Sequence, residues 1–219
     1  MRQCVIFDMD GVIIDSEPVH IACEKEIIRL LGLHIPEQEH HAFIGTTDEI
    51  MWSKIAEMHK LPINVPYIIQ LKKSLYMEHL KKNNHLSPVS YISELIANLH
   101  RNKFLLALAS SSPHEQIDYI LNTFGIRDYF QSVVSGEDVK VGKPDPEIFM
   151  KAAELLNVSA GSCVVIEDSY NGVTAAKSAN MKCIGFKNPN SGNQDLSNAD
   201  RIVHSFREIS LDMIRELLI

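Results

Sequence analysis

Two aspartates at the end of an apolar segment are the residues of this 219-residue chain that most clearly suggest chemistry. Asp8 and Asp10 follow a run of strand type, and Gly11 comes directly after them. Alternate side chains of an extended backbone share a face, so both carboxylates leave the strand on one side. They repel each other unless a cation, a proton or hydrogen bonds compensate, and glycine permits a sharp turn behind them. The pattern indicates an active site that holds a metal ion.

Polar side chains also follow three later apolar segments of strand type. They are three hydroxyls, one lysine and two acids, namely Ser110, Ser111, Ser112, Lys143, Glu167 and Asp168. Ligands of open α/β sheets bind beyond the carboxyl ends of the strands. We therefore expect these groups to meet Asp8 and Asp10 at one edge of a sheet.

Most of these groups also have an ordinary structural explanation. Ser112 and Glu115 fit a capping box at the start of a helix, which leaves Ser110 at the strand end as the better phosphate contact. Lys143 is compatible with a solvated surface position, and Glu167 or Asp168 with a favourable charge at a helix N-terminus. The combination, and no single member, points to function.

As a set, the groups suit phosphoryl transfer. Mg²⁺ prefers oxygen ligands and commonly uses one or two carboxylates together with water and a substrate phosphate. Lysine and serine offer a positive charge and neutral donors to phosphate oxygens. A carboxylate can attack phosphorus while a neighbouring acid moves the proton. Because both the nucleophile and the phosphate are anionic, this chemistry needs its cation.

The elements that position these groups alternate along the chain. Amphipathic patterns predict helices over residues 17–32, 50–59, 65–80, 91–100, 113–124, 146–156 and 170–179. Besides the strand before Asp8, apolar runs predict strands over residues 104–109, 132–134, 163–166, 181–186 and 201–203. Continuously apolar strands separated by helices are typical of a parallel sheet covered on both faces. The polar stretch 188–198 is interpreted as a surface loop.

An all-helical block interrupts the alternation after the first strand. We interpret residues 16–85 as a helical cap inserted into an α/β core formed by residues 1–15 and 86–219. The predicted fold class is thus α/β, with a Rossmann-like parallel-sheet core and an inserted cap.

Composition excludes several partners. The net charge of −7 opposes non-specific attraction to nucleic acid or an anionic membrane, and no apolar run is long enough to span a bilayer. The four cysteines are scattered, and the chain enters a strand without an apolar leader. We expect a reduced, cytoplasmic protein, either a monomer or a weak homodimer, that binds neither nucleic acid nor membrane.

The motifs resemble those of the haloacid dehalogenase-like hydrolase superfamily, in its β-phosphoglucomutase and sugar-phosphate phosphatase branch, over essentially the full length. They are, in order, Asp-Met-Asp-Gly-Val at residues 8–12, Ser110 at a strand end, Lys143 within Gly-Lys-Pro-Asp-Pro, and Glu167-Asp168-Ser169. The resemblance implies that Asp8 is the nucleophile and Asp10 the general acid/base. It also implies that Mg²⁺ is held by the Asp8 carboxylate, the Asp10 main-chain carbonyl and Asp168, with Glu167 as a direct or water-mediated ligand.

The same resemblance implies that Ser110, Ser111 and Lys143 hold the phosphoryl group, and that His20 of the cap contacts substrate. Relatives that cleave carbon–halogen bonds lack the second acid, so Asp10 favours phosphate transfer. The mutases carry a cap-loop arginine that grips a second phosphate. Here that loop is Gly45-Thr46-Thr47-Asp48, with an acid at the matching position.

Asp48 would repel a distal phosphate, which favours a phosphatase acting on a small phosphorylated metabolite, expected to be a sugar phosphate. Lys72 or Lys73 could partly compensate, although each fits a solvated helix face, and His20 also fits an ordinary helix position. A hexose-phosphate mutase is the alternative activity. A non-catalytic α/β module that binds a nucleotide or a partner is a third hypothesis, and it predicts no metal site.

Overall fold

The computed structural model describes residues 2–41, 43, 48–82 and 86–219. The chain divides into two compact units. The first, which we call the core unit, comprises Met1–Asp15 and Ser87–Ile219, and the second, the helical unit, comprises Ser16–Leu86.

A six-stranded parallel sheet forms the centre of the core unit. Its strands are β1 (Cys4–Phe7), β2 (Leu105–Ser110), β3 (Ser132–Ser135), β4 (Cys163–Glu167), β5 (Lys182–Phe186) and β6 (Arg201–Val203). They lie in the order β3-β2-β1-β4-β5-β6. This order places β1 at a topological switch point, where ligands of doubly wound sheets bind. All four residues of β1 are 0% exposed, so both faces of the sheet are covered at its centre.

The described part of the helical unit contains helices and no strand. They are α1 (Glu17–Leu30), α2 (Glu37–His41), α3 (Asp48–Met58) and α4 (Val65–Lys82). Pro18 occupies the first turn of α1, where its missing N–H costs nothing. Gly32 follows the end of that helix with a φ of +69°, which a residue without a Cβ adopts without strain.

Five more helices belong to the core unit: α5 (Ile92–Arg101), α6 (His114–Thr123), α7 (Glu147–Leu155), α8 (Tyr170–Ser178) and α9 (Leu211–Leu217). Helices α7 and α8 pack on the sheet face that carries Cys4 and Ile6, where they bury Phe149 and Val173. One face of α5 is apolar, because its buried residues recur at the three- and four-residue spacing of a helix. They are Ile92, Leu95, Ile96 and Leu99.

The two points where the chain leaves and re-enters the core unit are held together. Val89 donates a backbone hydrogen bond of 2.9 Å to the Ile13 carbonyl, and Ile14 and Pro88 form an antiparallel bridge. Asn190 also donates a side-chain hydrogen bond of 2.6 Å to Asp15.

The predicted α/β architecture is confirmed, and the predicted strands match the observed ones to within one residue. Helix α9 was not predicted. It is only seven residues long, and its buried residues are Ile214 and Leu217, too few to give a periodic pattern. Within the described ranges, no helix combines the length and apolar content that a bilayer crossing requires. All four cysteines are buried and free.

Candidate active site

The carboxyl ends of β1 and β4 bring two distant acids together. The strands are parallel neighbours with Phe7 opposite Ile166, and the Asp8 N–H donates to the Ile166 carbonyl at 3.0 Å. Asp8 and Glu167 therefore emerge side by side although 159 positions separate them in the chain. The expected convergence of strand ends is present in the structure.

Lys143 lies between these acids. Its Nζ is 2.6 Å from Asp8 Oδ1 and 2.8 Å from Glu167 Oε1, and it donates to the Ala109 carbonyl at 3.2 Å. The lysine side chain is only 7% exposed. Burial alone would lower the pKa of Lys143, but the charges of Asp8 and Glu167 outweigh burial and raise it. The ammonium is therefore a fixed positive charge and the alternative of a solvated surface lysine is wrong.

Three buried carboxylates could hold a metal ion. One oxygen from each of Asp8, Glu167 and Asp168 lies within 4.8 Å of the other two. Burial raises the pKa of Asp8 to about 7, with Glu167 and Asp10 adding to the rise and Lys143 opposing it. Burial, Glu167 and Asp8 likewise raise the pKa of Asp168 well above its ordinary value. One ammonium thus faces three acids, and the excess negative charge and all-oxygen donor set fit a hard divalent cation such as Mg²⁺.

Asp10 is held by a serine from another strand end. Its Oδ2 accepts a hydrogen bond of 2.8 Å from the Ser112 hydroxyl. The expected capping role of Ser112 is wrong, because Pro113 is the N-cap of α6 and no side chain caps there. The carboxylate of Asp10 is not part of the three-acid cluster.

The glycine after the two aspartates is required by the fold. Gly11 has a φ of +81°, and its N–H donates to the Ile14 carbonyl at 2.7 Å. A Cβ at this position would lie 1.9 Å from Asp168 Oδ2. Any larger residue at position 11 would therefore displace the acid.

Ser110 ends β2 and is 0% exposed. Its hydroxyl oxygen accepts from the Ser112 N–H at 3.0 Å, which shapes the turn after the strand. Ser111 follows it and is exposed. A phosphate contact by either serine stays a prediction.

His20 belongs to the helical unit, where its ring stacks on Tyr76 with centroids 4.5 Å apart and planes 20° apart. A substrate role for His20 stays a prediction. The expected cap-loop residues Gly45, Thr46 and Thr47 lie outside the described residues.

Lys72 is buried, so the expectation of a solvated helix face is wrong for it. Its Nζ lies 2.5 Å from Glu24 Oε1 and also pairs with Asp48, while Lys73 is exposed as expected. The side chains are 7% exposed for Lys72 and 35% for Asp48. Of this pair, the acid is the more accessible charge.

Two residues next to Glu167 were not identified from the sequence as its contacts: Ser169, which donates to it, and Gly172, which leaves room for it. Ser169, at the N-cap of α8, donates to Glu167 Oε2 from its N–H at 2.8 Å and from its hydroxyl at 2.9 Å. A Cβ at Gly172 would lie 1.7 Å from Glu167 Oε1. The Asp-Ser pair before a helix is a recognisable capping signal, whereas no local pattern marks Gly172.

The polar stretch 188–198 is not simply a surface loop. Asn188 is 5% exposed and donates to the Gly11 carbonyl at 2.8 Å, and the Ser191 hydroxyl donates to Asp168 Oδ2. Neither contact has a sequence signal, because both partners are distant in the chain.

The chain is similar to known proteins over most of its length. A family model described as haloacid dehalogenase-like hydrolase matches residues 5–186. The phosphorylated carbohydrates phosphatase of Thermotoga maritima is 34% identical over 192 residues, which cover 83% of each protein. Hexitol phosphatase B of Escherichia coli is 29% identical over 191 residues, covering 86% of this chain and 85% of the relative.

Among solved structures, a β-phosphoglucomutase from Clostridium difficile is 27% identical, with a TM-score of 0.79. The similarity covers 100% of this chain and 97% of that one. The range matched by the family model includes both aspartates of the first strand end, Lys143, Glu167 and Asp168, but it ends before Ser191.

Proposed function

Because the chain belongs to the haloacid dehalogenase-like hydrolase family, we propose that it is a Mg²⁺-dependent phosphatase acting through an aspartyl-phosphate intermediate. Its substrate class is a small phosphorylated carbohydrate. One relative is named a phosphorylated carbohydrates phosphatase and another a hexitol phosphatase.

The observation that supports this proposal most is the meeting of Asp8, Lys143, Glu167 and Asp168 in one buried group. A purely structural cluster would gain nothing from an excess of buried negative charge, which is costly to desolvate. A site that receives a divalent cation and a phosphate uses that charge.

In the proposed reaction, a carboxylate oxygen of Asp8 attacks phosphorus, and the bond from phosphorus to the leaving alcohol oxygen breaks. Asp10 gives a proton to that oxygen and then takes one from the water that hydrolyses the acyl phosphate. Its hydrogen bond from Ser112 fixes the direction of the carboxylate. Lys143, already 2.6 Å from Asp8, supplies positive charge beside the transferred phosphoryl group.

Mg²⁺ would be held by Asp8 and Asp168, with Glu167 as a direct or water-mediated ligand and the Asp10 main-chain carbonyl as a further donor. Its contribution when bound is to reduce the repulsion between the anionic carboxylate and the anionic phosphate. Lys143 offsets only part of that repulsion, because it is one cation facing three acids.

The decisive experiment compares Asp8→Asn with the wild-type protein on a panel of sugar and hexitol monophosphates. We expect released phosphate to require Mg²⁺, to disappear with a chelator, and to fall at least about a thousandfold in the variant. Asp195→Asn is the matched control, because Asp195 is an exposed acid outside the cluster. Retention of wild-type turnover by Asp8→Asn would refute the proposal.

The intermediate can be tested separately. Protein quenched with acid during turnover of a ³²P-labelled substrate is expected to retain label that hydroxylamine removes, as for an acyl phosphate. Label that resists hydroxylamine, or that persists in Asp8→Asn, would contradict attack by this carboxylate.

A hexose-phosphate mutase is the second candidate, supported by the similarity to the Clostridium difficile β-phosphoglucomutase. The pairing of Lys72 with Glu24 and Asp48 argues against it, because a buried, doubly paired ammonium is a poor ligand for a second phosphate. Incubation with β-glucose 1-phosphate and a trace of the bisphosphate distinguishes the two. Glucose 6-phosphate would indicate the mutase, and inorganic phosphate the phosphatase.

A further inference from the structure

A short segment after β5 contacts the proposed metal site although no motif marks it. We call residues 188–194 the β5 loop. It contacts three other segments of the core unit at or beside the site: Gly11 through Asn188, Asp168 through Ser191, and the first N–H of α8 through Gln194.

The β5 loop is anchored by its own polar side chains. Buried Asn188 donates to the Gly11 carbonyl at 2.8 Å, and its Oδ1 accepts from the Asn190 N–H at 2.8 Å. Gln194 donates to the Ser191 carbonyl at 3.1 Å and accepts from the Tyr170 N–H at 3.0 Å. These bonds fix the loop at both sides of Ser191.

Ser191 and Gly11 both lie next to the carboxylate of Asp168. Its hydroxyl donates to Asp168 Oδ2. A Cβ on Gly11 would be 1.9 Å from that oxygen and 3.0 Å from Ser191 Oγ, so the three residues are in close contact. Asp168 is 5% exposed and faces the like charges of Asp8 and Glu167.

The neighbouring acids Asp8 and Glu167 repel the carboxylate of Asp168. A hydrogen-bond donor is therefore needed to keep the carboxylate in one orientation. The Ser191 hydroxyl is a neutral donor on one of its oxygens, and it leaves the other carboxylate oxygen and further lone pairs available. Hydrogen-bond partners of this kind orient metal ligands, and their loss typically weakens metal affinity about 10- to 100-fold.

We propose that Ser191 is a positioning residue that orients Asp168 for a divalent cation, with the β5 loop as its support. The inference rests on the proposed function, since it assumes that Asp168 is a metal ligand. It concerns a residue beyond the matched range 5–186.

The experiment measures Mg²⁺ affinity directly, by calorimetry and by the metal-dependent shift of the unfolding midpoint. Ser191→Ala is expected to weaken Mg²⁺ binding about 10- to 100-fold. Ser191→Thr keeps a hydroxyl and should retain most of the wild-type Mg²⁺ affinity. Ser191→Cys has only a weak donor and should not retain it. Ser197→Ala is the control, because Ser197 is exposed and lies outside the β5 loop.

Two further measurements separate the possible failures. The unfolding midpoint without metal shows whether each variant folds, and the Mg²⁺ concentration for half-maximal phosphate release should rise while kcat at saturating Mg²⁺ changes less. Wild-type affinity in both Ser191→Ala and Ser191→Cys would overturn the role of Ser191 and leave the proposed function intact. Absence of Mg²⁺ binding by the wild-type protein would overturn the proposed metal site itself.

Discussion

Ser112 Oγ donates a 2.8 Å hydrogen bond to Asp10 Oδ2, although the two residues are 102 positions apart in the chain. The bond joins the end of β2 to the turn after β1. It orients the acid that we assign to proton transfer, so Ser112→Ala is expected to lower kcat roughly 10-fold with little change in KM. Steady-state kinetics on the best monophosphate substrate provide the measurement.

Ser112→Thr keeps the hydroxyl and should stay within about threefold of wild-type kcat. If Ser112→Ala raised KM and left kcat unchanged, Ser112 would contact substrate and would not position Asp10.

Lys143→Met is expected to remove a buried cation from between Asp8 and Glu167. Removing one partner of a buried ion pair typically costs about 3 to 5 kcal/mol, because the remaining charge is left uncompensated. We expect the free energy of unfolding without metal to fall by about 3 kcal/mol and phosphate release to fall at least about 100-fold. Urea unfolding and phosphate assays check the two effects.

Lys54→Met is the matched control for that variant, since Lys54 is exposed on α3. A stable Lys143→Met protein with unchanged turnover would contradict both the structural and the catalytic role.

Gly172→Ala should displace Glu167, because the added Cβ would lie 1.7 Å from Glu167 Oε1. Overpacking of this kind costs roughly 1 to 3 kcal/mol. Gly161→Ala, where nothing lies within 4 Å of the added Cβ, should stay within about 0.5 kcal/mol of wild type. Thermal unfolding of both variants is the measurement, and equal midpoints would show that Glu167 adjusts without cost.

The helical unit should lose stability in acid through Glu24. Burial alone would raise the pKa of Glu24, but His40 and Lys72 outweigh burial and lower it. A carboxyl group with a lowered pKa in the folded state contributes stability above its unfolded pKa of about 4.3 and loses it as the pH falls further. Glu24→Gln should therefore be less stable than wild type by roughly 3 kcal/mol at pH 7.

This difference should begin to narrow as the pH falls below about 4.3, where Glu24 of the unfolded wild-type chain takes up a proton. It should narrow until the pH passes the lowered pKa of folded Glu24, where the folded side chain is neutral as well. Urea unfolding at a series of pH values measures it. Glu57→Gln, at an exposed position of α3, should show no such dependence. A constant difference across the range would exclude Glu24 as the titrating group.

The sequence was sufficient to predict the sheet, because continuously apolar strands and capped helices leave local patterns. It was also sufficient to predict that Asp8 and Glu167 lie at one edge of the sheet, since parallel strands place their carboxyl ends there; that their strands are neighbours is known only from the structure. Ser191 could not be predicted, because a polar loop has no periodicity that shows which acid it contacts.

The burial of Lys72 could not be predicted for a different reason. A lysine on a helix is normally solvated, and only the three-dimensional packing brings Glu24 and Asp48 to its ammonium. Residue type predicts the average environment, whereas a buried ionic contact depends on partners from other helices.

The hydrogen bond between Val89 and Ile13, together with the contact of Asn190 with Asp15, closes the core unit across the gap left by residues 16–86. The reacting groups thus depend on a scaffold whose continuity does not require the intervening helices. Replacing residues 16–86 with the corresponding segment of a relative is therefore expected to leave Asp8, Lys143 and Glu167 assembled, because all three belong to the core unit.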